Sequence, residues 1–424
     1  MKIAFFLPLK FSRQIRIVPQ VGIIDHLICF GHEVTWFIIS EEHKKPSEII
    51  IENIRSKVVA TPLNGFVYKH SLLKYMAQVF AIFKRLIFIK QYFKKNQFDL
   101  IIFRSHVIDG LLGYILAKQY RIPFVFVLRN PLEQEWESYK IDCKRPIIFY
   151  YVIAKVKRII VEWLLKHSNL IIPISKYLEE RLLKQDVGTG RFFSLPEAVD
   201  VHRFSGQKNM QLVRENFCIS SNELFIYVGS LGKSRHLDVL IKAFAILLQK
   251  NSKAKLLFVG EGNDKENLVA LVKKLGINKS IFFMGQISHN DVPLCIAASD
   301  FGICTVPPYD FYKLSSPIKL FEYMAMGKPV LVNFEIPEQK DVVEQSGGGV
   351  AVPFNIVGLS SGMEKLIENN DRAKAMGLSG RNWILKNRTF EIMAKKLEER
   401  LTLLLYHEWT QKNDCEKRKR IICT

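Results

Sequence analysis

The stretch Phe225-Ile-Tyr-Val-Gly-Ser-Leu-Gly-Lys-Ser-Arg-His-Leu-Asp238 joins a short apolar run to a glycine-bearing turn and then to a helical pattern. A continuous apolar run bounded by turn residues reads as a strand buried on both faces of a parallel sheet. Gly229 and Gly232 let backbone N–H groups approach an anion, and the start of the following helix attracts negative charge. Gly232, Lys233 and Ser234 imitate the end of a phosphate-binding P-loop. That motif needs a glycine five positions before Gly232, where Tyr227 stands. A plain strand-turn-helix with exposed Lys233 and Arg235 is the alternative reading of this segment.

The alternation continues outward from there. Downstream, Lys255–Val259, Ile281–Phe283, Phe301–Cys304 and Pro329–Val332 read as strands, with helices over 236–249, 263–275, 291–298 and 317–326. Upstream, Lys2–Pro8, Val34–Ile39, Asp99–Phe103, Phe124–Leu128 and Leu170–Ile174 read as strands, with helices from Pro19 to Gly31 and over 109–120. Strands alternating with helices predict an α/β protein of doubly wound parallel sheets. The 424 residues suit two domains of about 200 residues each. The pattern restarts after Pro196, so the expected division is 1–198, 199–388, and a C-terminal helix over 389–424 that packs back on the first domain and ends in a frayed basic tail.

In open α/β sheets, ligands bind at the carboxyl ends of the strands. Val259-Gly-Glu-Gly262 is a glycine-tightened turn at such a place, but Lys265 stands where a dinucleotide fingerprint has its third glycine. The segment Ser315-Ser-Pro-Ile-Lys-Leu-Phe-Glu-Tyr-Met-Ala-Met-Gly-Lys-Pro-Val330 carries more. Ser315 or Ser316 can cap a helix whose first turn contains Pro317. That N-terminus would present N–H groups to a diphosphate with Lys319 beside it, and Glu322, a turn further on, suits a ribose diol. Leu320, Phe321, Met324 and Ala325 read as core.

The formal net charge is +20, which favours an anionic partner. Between Glu52 and Asp99 there is no acidic residue, while Lys69, Lys74, Lys84, Arg85, Lys90, Lys94 and Lys95 alternate with apolar side chains. The stretch from Lys144 to His167 repeats this chemistry. Such basic amphipathic helices read either as membrane-surface elements or as covers of the first sheet with a solvated basic face. No recognition-helix, zinc-finger or RNA-platform pattern accompanies the charge, which argues against nucleic acid. The seven cysteines are scattered without a Cys-x-x-Cys pair, consistent with a reducing cytosol. The first nine residues read as a strand rather than a signal peptide, and no apolar run reaches the roughly 18 residues of a membrane span.

Taken together, these segments make the chain resemble retaining glycosyltransferases of family 4, which have the GT-B fold, in the form common among envelope and capsule polysaccharide transferases. Gly31-His-Glu-Val-Thr35, Val199-Asp-Val-His-Arg-Phe204, Phe225 to Phe244, Val259 to Gly262, Phe283-Met-Gly285, Ser316 to Val330 and Gly347-Gly-Gly-Val-Ala-Val-Pro353 carry the resemblance in order. It implies two Rossmann-like domains facing a central cleft, and hexosyl or N-acetylhexosaminyl transfer from a nucleotide sugar, UDP-linked by likeness to a subgroup, with retention of configuration. It implies a saccharide or lipid-linked acceptor, no cofactor and no obligatory metal. The expected place of action is the cytoplasm, with a peripheral position on the cytoplasmic face of the membrane as one reading.

Carried over by position, the resemblance puts Gly229, Ser230, Gly260, Gly262, Gly285, Ser316, Lys319, Leu320 and Glu322 around the donor, and Arg235, Arg129 and His106 at the chemistry. The chain departs from the family at Ser230, where an Arg is usual, at Arg235 for the usual Lys, and at Leu314 for a second Glu. Arg129-Asn130-Pro131 replaces a His, and Lys10 to Arg16 replaces a Gly-Gly loop. A sugar-nucleotide epimerase of the same fold and a non-catalytic binding subunit are the rival readings.

Overall fold

A computed structural model of the chain describes residues 1–10, 19–40, 47–51, 54–62, 72–104, 107–132, 134–142, 148–187, 191–205, 213–215 and 223–422. The chain divides into two compact units. The first gathers Met1–Asn130, Lys155–Leu195 and Met393–Thr424; the second gathers Pro131–Ala154 and Pro196–Ile392. Pro131–Ala154, which the sequence reading leaves in the first domain, therefore groups with the second unit.

The first half of the chain runs β1 (Lys2–Lys10), α1 (Pro19–His26), β2 (Glu33–Ser40), β3 (Ser47–Ile49), β4 (Lys57–Pro62), α2 (Leu72–Lys95), β5 (Leu100–Arg104), α3 (Val107–Tyr120), β6 (Phe124–Leu128), α4 (Gln134–Asp142), α5 (Ile148–Lys166), β7 (Leu170–Pro173) and α6 (Lys176–Lys184). Its sheet has the order β3-β4-β2-β1-β5-β6-β7. All neighbours are parallel except β3 with β4. Every residue of β5, β6 and β7 is buried, which is why these strands read as unbroken apolar runs. The helix from Pro19 tightens into a 3-10 turn at Leu27–Phe30 and stops at Gly31, whose φ of +82° is left-handed. Strand β3, three residues long and partly exposed, and β4, whose Val58, Val59 and Ala60 are buried, were not anticipated.

The second half runs β8 (Leu224–Val228), α7 (Leu237–Lys250), β9 (Lys255–Val259), α8 (Lys265–Lys274), β10 (Ile281–Gly285), α9 (Val292–Ala298), β11 (Phe301–Cys304), α10 (Asp310–Lys313), α11 (Ile318–Ala325), β12 (Val330–Asn333), α12 (Pro337–Ser346), β13 (Gly349–Val352), α13 (Ile356–Ile367), α14 (Asn370–Asn387) and α15 (Phe390–Ile422). The strands lie in the order β10-β9-β8-β11-β12-β13, all parallel. Successive residues of β8 face opposite layers. Leu224, Ile226 and Val228 pack with Leu320, Tyr323 and Met324, whereas Phe225 and Tyr227 pack with Leu240, Phe244 and Phe258. Burying each such side chain contributes about 1.5–3 kcal/mol.

Helix α15 runs to Ile422, through the basic tail expected to fray. Its first-unit portion is held by Glu398, 2.9 Å from His32 Nε2, and by Glu408, which accepts from Asn169 Nδ2 at 2.8 Å.

The first unit also buries a charge pair. The Arg85 guanidinium binds the Asp109 carboxylate, and both side chains are almost wholly enclosed. Arg85 Nε donates to Thr61 Oγ1 at 2.8 Å, and that hydroxyl donates to the Ile38 carbonyl at 2.7 Å. The pair thereby ties α2 and α3 to the edge of the sheet. Removing one member of a buried pair strands the other as an uncompensated charge. Asp109→Ala is therefore expected to destabilise the protein by about 3–5 kcal/mol, read as a lowered denaturant midpoint; an unchanged midpoint would refute this role.

Candidate functional site

In the second unit the strand order reverses direction at β8. From β8 the chain moves to β9 and β10 on one side and to β11, β12 and β13 on the other. The crevice at the carboxyl ends of β8 and β11 is therefore the topological switch point, where open parallel sheets take their ligands.

The loop after β8 is built on the loop after β9. Gly229 N–H donates to the Val259 carbonyl at 2.9 Å, Leu231 N–H to the Glu261 carbonyl at 2.9 Å, and Asp264 N–H to the Leu231 carbonyl at 3.0 Å. A Cβ on Gly260, whose φ is +143°, would collide with the Gly229 carbonyl, and one on Gly262 would collide with the Leu231 backbone. These two glycines thus serve loop-to-loop packing. Gly285, at φ +79°, ends β10 and accepts from Gly260 N–H at 2.9 Å. Ser230 is exposed at the tip.

Arg235 closes the 3-10 turn Lys233–Arg235, and its guanidinium carbon lies 4.7 Å from the centre of the Tyr312 ring. The next residue, His236, has φ +48° and ψ +47°, a left-handed conformation uncommon for a residue with a side chain. Its Nε2 lies 2.5 Å from the Tyr309 hydroxyl oxygen. Tyr309 and Tyr312, at the start and inside of α10, therefore hold both the cation and the strained turn that carries it. Helix α4 joins this rim: Ile141 packs against Phe311, Tyr312 and Ile336. His236, Tyr309 and Tyr312 were not singled out from the sequence, because no spacing links positions some 75 residues apart.

Lys319 and Glu322 stand three residues apart on α11, and Lys319 Nζ donates to Glu322 Oε2 at 2.7 Å. The Glu322 side chain is 3% exposed and that of Lys319 21%. Cys304, the last residue of β11, sits among these groups. Burial pushes its thiol up to about 12, against the opposing pull of the Leu320 N–H, Arg235 and Lys319. It remains a neutral thiol at pH 7 rather than a nucleophile. Burial likewise raises the Tyr227 phenol to about 12. Among the described residues no group of three or more His, Cys, Asp and Glu side chains could hold a metal ion.

Several expectations need correction. Helix α11 begins at Ile318 with Pro317 as its N-cap, and no side chain caps it. Ser316 is buried; its Oγ accepts from Glu197 N–H at 3.1 Å and its hydroxyl hydrogen-bonds to the Glu338 carboxylate. Ser315 Oγ donates instead to the Tyr312 carbonyl at 2.6 Å. The Ser316 side chain thus points into the fold. Leu320 is 0% exposed and belongs to the core, so it offers no surface to a ligand. Asp238, in the first turn of α7, pairs with Lys242 at 2.8 Å. Arg129 lies half-buried just after β6 in the first unit, and His106 lies outside the described residues.

Behind the loop that precedes α11 lies a buried polar cluster. Arg388 Nη2 donates to Glu338 Oε1 at 3.1 Å, and the Arg388 guanidinium also lies over Phe321, 5.5 Å from its ring centre. Burial outweighs that guanidinium and raises the Glu338 carboxyl to about 7; Glu197 and Asp341 push in the same direction as burial.

Two doubly wound sheets, the second with cations and a buried carboxylate gathered at its switch crevice, are the architecture of GT-B proteins, and together with the two family matches that follow they make the chain a glycosyltransferase of GT-B type. Comparison with known proteins supports this. The family described as Glycosyltransferase Family 4 matches residues 22–203, and the family described as Glycosyl transferases group 1 matches 201–383. The chain is 25% identical over 319 residues to an uncharacterised glycosyltransferase of Methanocaldococcus jannaschii, covering 72% of this chain and 76% of that one. It is 23% identical over 238 residues to a GDP-mannose-dependent alpha-(1-6)-phosphatidylinositol monomannoside mannosyltransferase of Mycolicibacterium smegmatis, covering 55% of this chain and 62% of the relative, less than two thirds of its length. Its fold is similar to that of Anabaena HepE in complex with UDP-glucose, with a TM-score of 0.69 and 16% identity over 95% of this chain and 99% of that one.

The raised Glu338 carboxyl has a consequence for stability. Its folded value lies above its unfolded one, so the stability it contributes is fully present below the unfolded value. That contribution is lost as pH rises through about 7. Glu338→Gln is expected to remove this dependence: the stability of wild type relative to the variant falls between pH 4.5 and pH 8, both measured by urea unfolding. A pH-independent difference would contradict the assignment.

Proposed function

We propose that the protein transfers a hexosyl or N-acetylhexosaminyl group from a nucleotide sugar, UDP-linked, to a saccharide or lipid-linked acceptor with retention of configuration. The observation that carries this reading is the grouping of Arg235, Lys319 and Glu322 around the end of β11. The departing nucleoside diphosphate gains negative charge in the transition state, and preorganised cations at that position lower the barrier. Arg235, steadied on the Tyr312 ring, and Lys319 at the first turn of α11 are those cations. A carboxylate accepts through both oxygens. Lys319 occupies one oxygen of Glu322, which leaves the other for the ribose hydroxyls. Gly229, Ser230, Gly260, Gly262 and Gly285 shape the loops that border the donor. Arg129 and His106 are proposed to act at the chemistry, in contact with the acceptor or the donor sugar. The UDP-glucose held by Anabaena HepE supports a uracil nucleotide; the GDP-mannose-dependent relative makes guanine the alternative to be tested.

The proposed acceptor is lipid-linked or membrane-proximal, and the protein works at the membrane surface. Among the described residues no helix is long and apolar enough to cross a membrane. Helix α5 nevertheless exposes Val152, Val156, Ile159 and Trp163, with Ile159 63% exposed, beside the exposed Lys155 and Lys166. Helix α2 exposes Phe83 and Ile87 beside Lys84, Lys94 and Lys95. Apolar residues flanked by lysines suit an anionic bilayer surface.

Arg235→Ala is expected to lower kcat about 10²- to 10³-fold with the fold intact, and Glu322→Ala to weaken nucleoside diphosphate binding, read as a smaller ligand-induced thermal shift. Full activity in Arg235→Ala would remove its role. A panel of UDP and GDP sugars with and without acceptor separates the rivals: an epimerase turns over without acceptor, and a binding subunit binds without transfer. Binding to vesicles containing phosphatidylglycerol should weaken as salt rises and on Ile159→Glu; indifference to both would argue against a membrane-surface role.

A further inference from the structure

A second concave site lies in the first unit, at the amino end of β7, the opposite end of the sheet from Arg129. It encloses about 270 Å³ and is lined by Asn169, Leu170, Arg191, Arg400, Leu404 and His407. Arg400, Leu404 and His407 follow one another at i, i+4 and i+7 on α15 and so share one stripe of the helix. Arg191 reaches the same cavity from the segment that lies beside β7, where Ile171 N–H donates to the Arg191 carbonyl at 2.9 Å.

The charge at this place is lopsided. The neighbouring carboxylate is Glu408, already shared between Asn169 Nδ2 at 2.8 Å and Arg191 Nη1 at 3.4 Å. Arg191 remains 44% exposed. The Arg400 side chain is half-buried and, among the described residues, its guanidinium has neither an ion-pair nor a hydrogen-bond partner. A guanidinium set in a concavity between two leucines, with no acceptor of its own, has lost part of its hydration without compensation. Its planar fork matches the oxygens of a phosphate, and Arg191 and His407 supply further donors to the same volume. Beside this stripe, α15 exposes Leu403 and Tyr406, an apolar flank suited to the hydrocarbon of an amphiphile.

We infer that this pocket, formed by Arg191, Arg400 and His407 over Leu170 and Leu404, binds a phosphate-bearing ligand at a site separate from the sugar donor. The phosphate can be the headgroup of an anionic phospholipid, with Leu403 and Tyr406 against its chains, or a free phosphate ester. The inference is independent of the donor and acceptor proposed above.

The test uses the full chain, with vesicles of phosphatidylcholine with and without phosphatidic acid as one probe and glycerol 3-phosphate in solution as the other. Wild type, Arg400→Gln and Arg191→Gln/Arg400→Gln are compared in vesicle flotation and in titration with the soluble ester. Binding of nucleoside diphosphate serves as the control for an intact fold. The α2 and α5 faces are untouched in these variants, so residual vesicle binding reports those faces and the difference reports the pocket. Loss of about tenfold or more in affinity for either probe in the double variant, with nucleotide binding unchanged, is the expected result. A loss confined to vesicles identifies a lipid, and a loss for the ester as well identifies a soluble phosphate. Wild type that binds neither probe, or a variant that binds both as wild type does, overturns the inference. Should the double variant fail to fold, Arg400→Gln alone, on the half-exposed helix surface, decides the question by the same readouts.

Discussion

The Tyr323 ring lies where β8, β11 and α11 meet, and the geometry of the donor side follows from its seat. Its hydroxyl oxygen accepts the N–H of Val228, the last residue of β8, at 2.8 Å. The ring occupies the space that Gly302 leaves open in β11; a Cβ there would come within 2.5 Å of it. Burial holds the phenol well above its ordinary value, so it stays a neutral hydroxyl. With Tyr323 pinned, α11 must lie along the switch crevice, and Lys319 and Glu322, one turn earlier or adjacent, are carried to the ends of β8 and β11.

Around that fixed helix the unit combines rigid backbone with groups left open to a ligand. The loops after β8 and β9 are joined by main-chain hydrogen bonds that only glycine at 260 and 262 permits. Arg235 is held by an aromatic face, a support that steadies the guanidinium without neutralising its charge. On the inner side, Ser316, Glu338 and Arg388 form a closed polar cluster behind the loop that leads into α11. The groups that line the switch crevice and the groups that brace the loop therefore come from neighbouring positions with opposite directions, as Lys319 and Ser316 illustrate.

The first unit distributes its charge differently. One cation, Arg85, is buried against Asp109 and serves the architecture. Others stand on the surface, beside exposed apolar residues on α2 and α5 or around the concavity at the amino end of β7. A high net positive charge is thus not one property but several, and burial and partner decide which of them each residue expresses.

Much of the architecture was legible in the sequence by itself. Unbroken apolar runs such as Phe124–Leu128, the stop at Gly31 and the ordered glycine turns are local signals, set by backbone sterics and by burial on both faces of a parallel sheet. The spacing of Lys319 and Glu322 on one helix was equally local, since residues three apart share a face. Only the tertiary structure decided where side chains without such periodicity point. It turned Ser316 inward, set Tyr312 beneath Arg235, brought α4 to the second unit, and gathered Arg191 and Arg400 into one pocket. These outcomes depend on partners far apart in the sequence, such as Arg235 and Tyr312 or Arg191 and Arg400, or on the competition of one hydroxyl for several acceptors. A one-dimensional pattern contains neither the distances nor the desolvation that settle them.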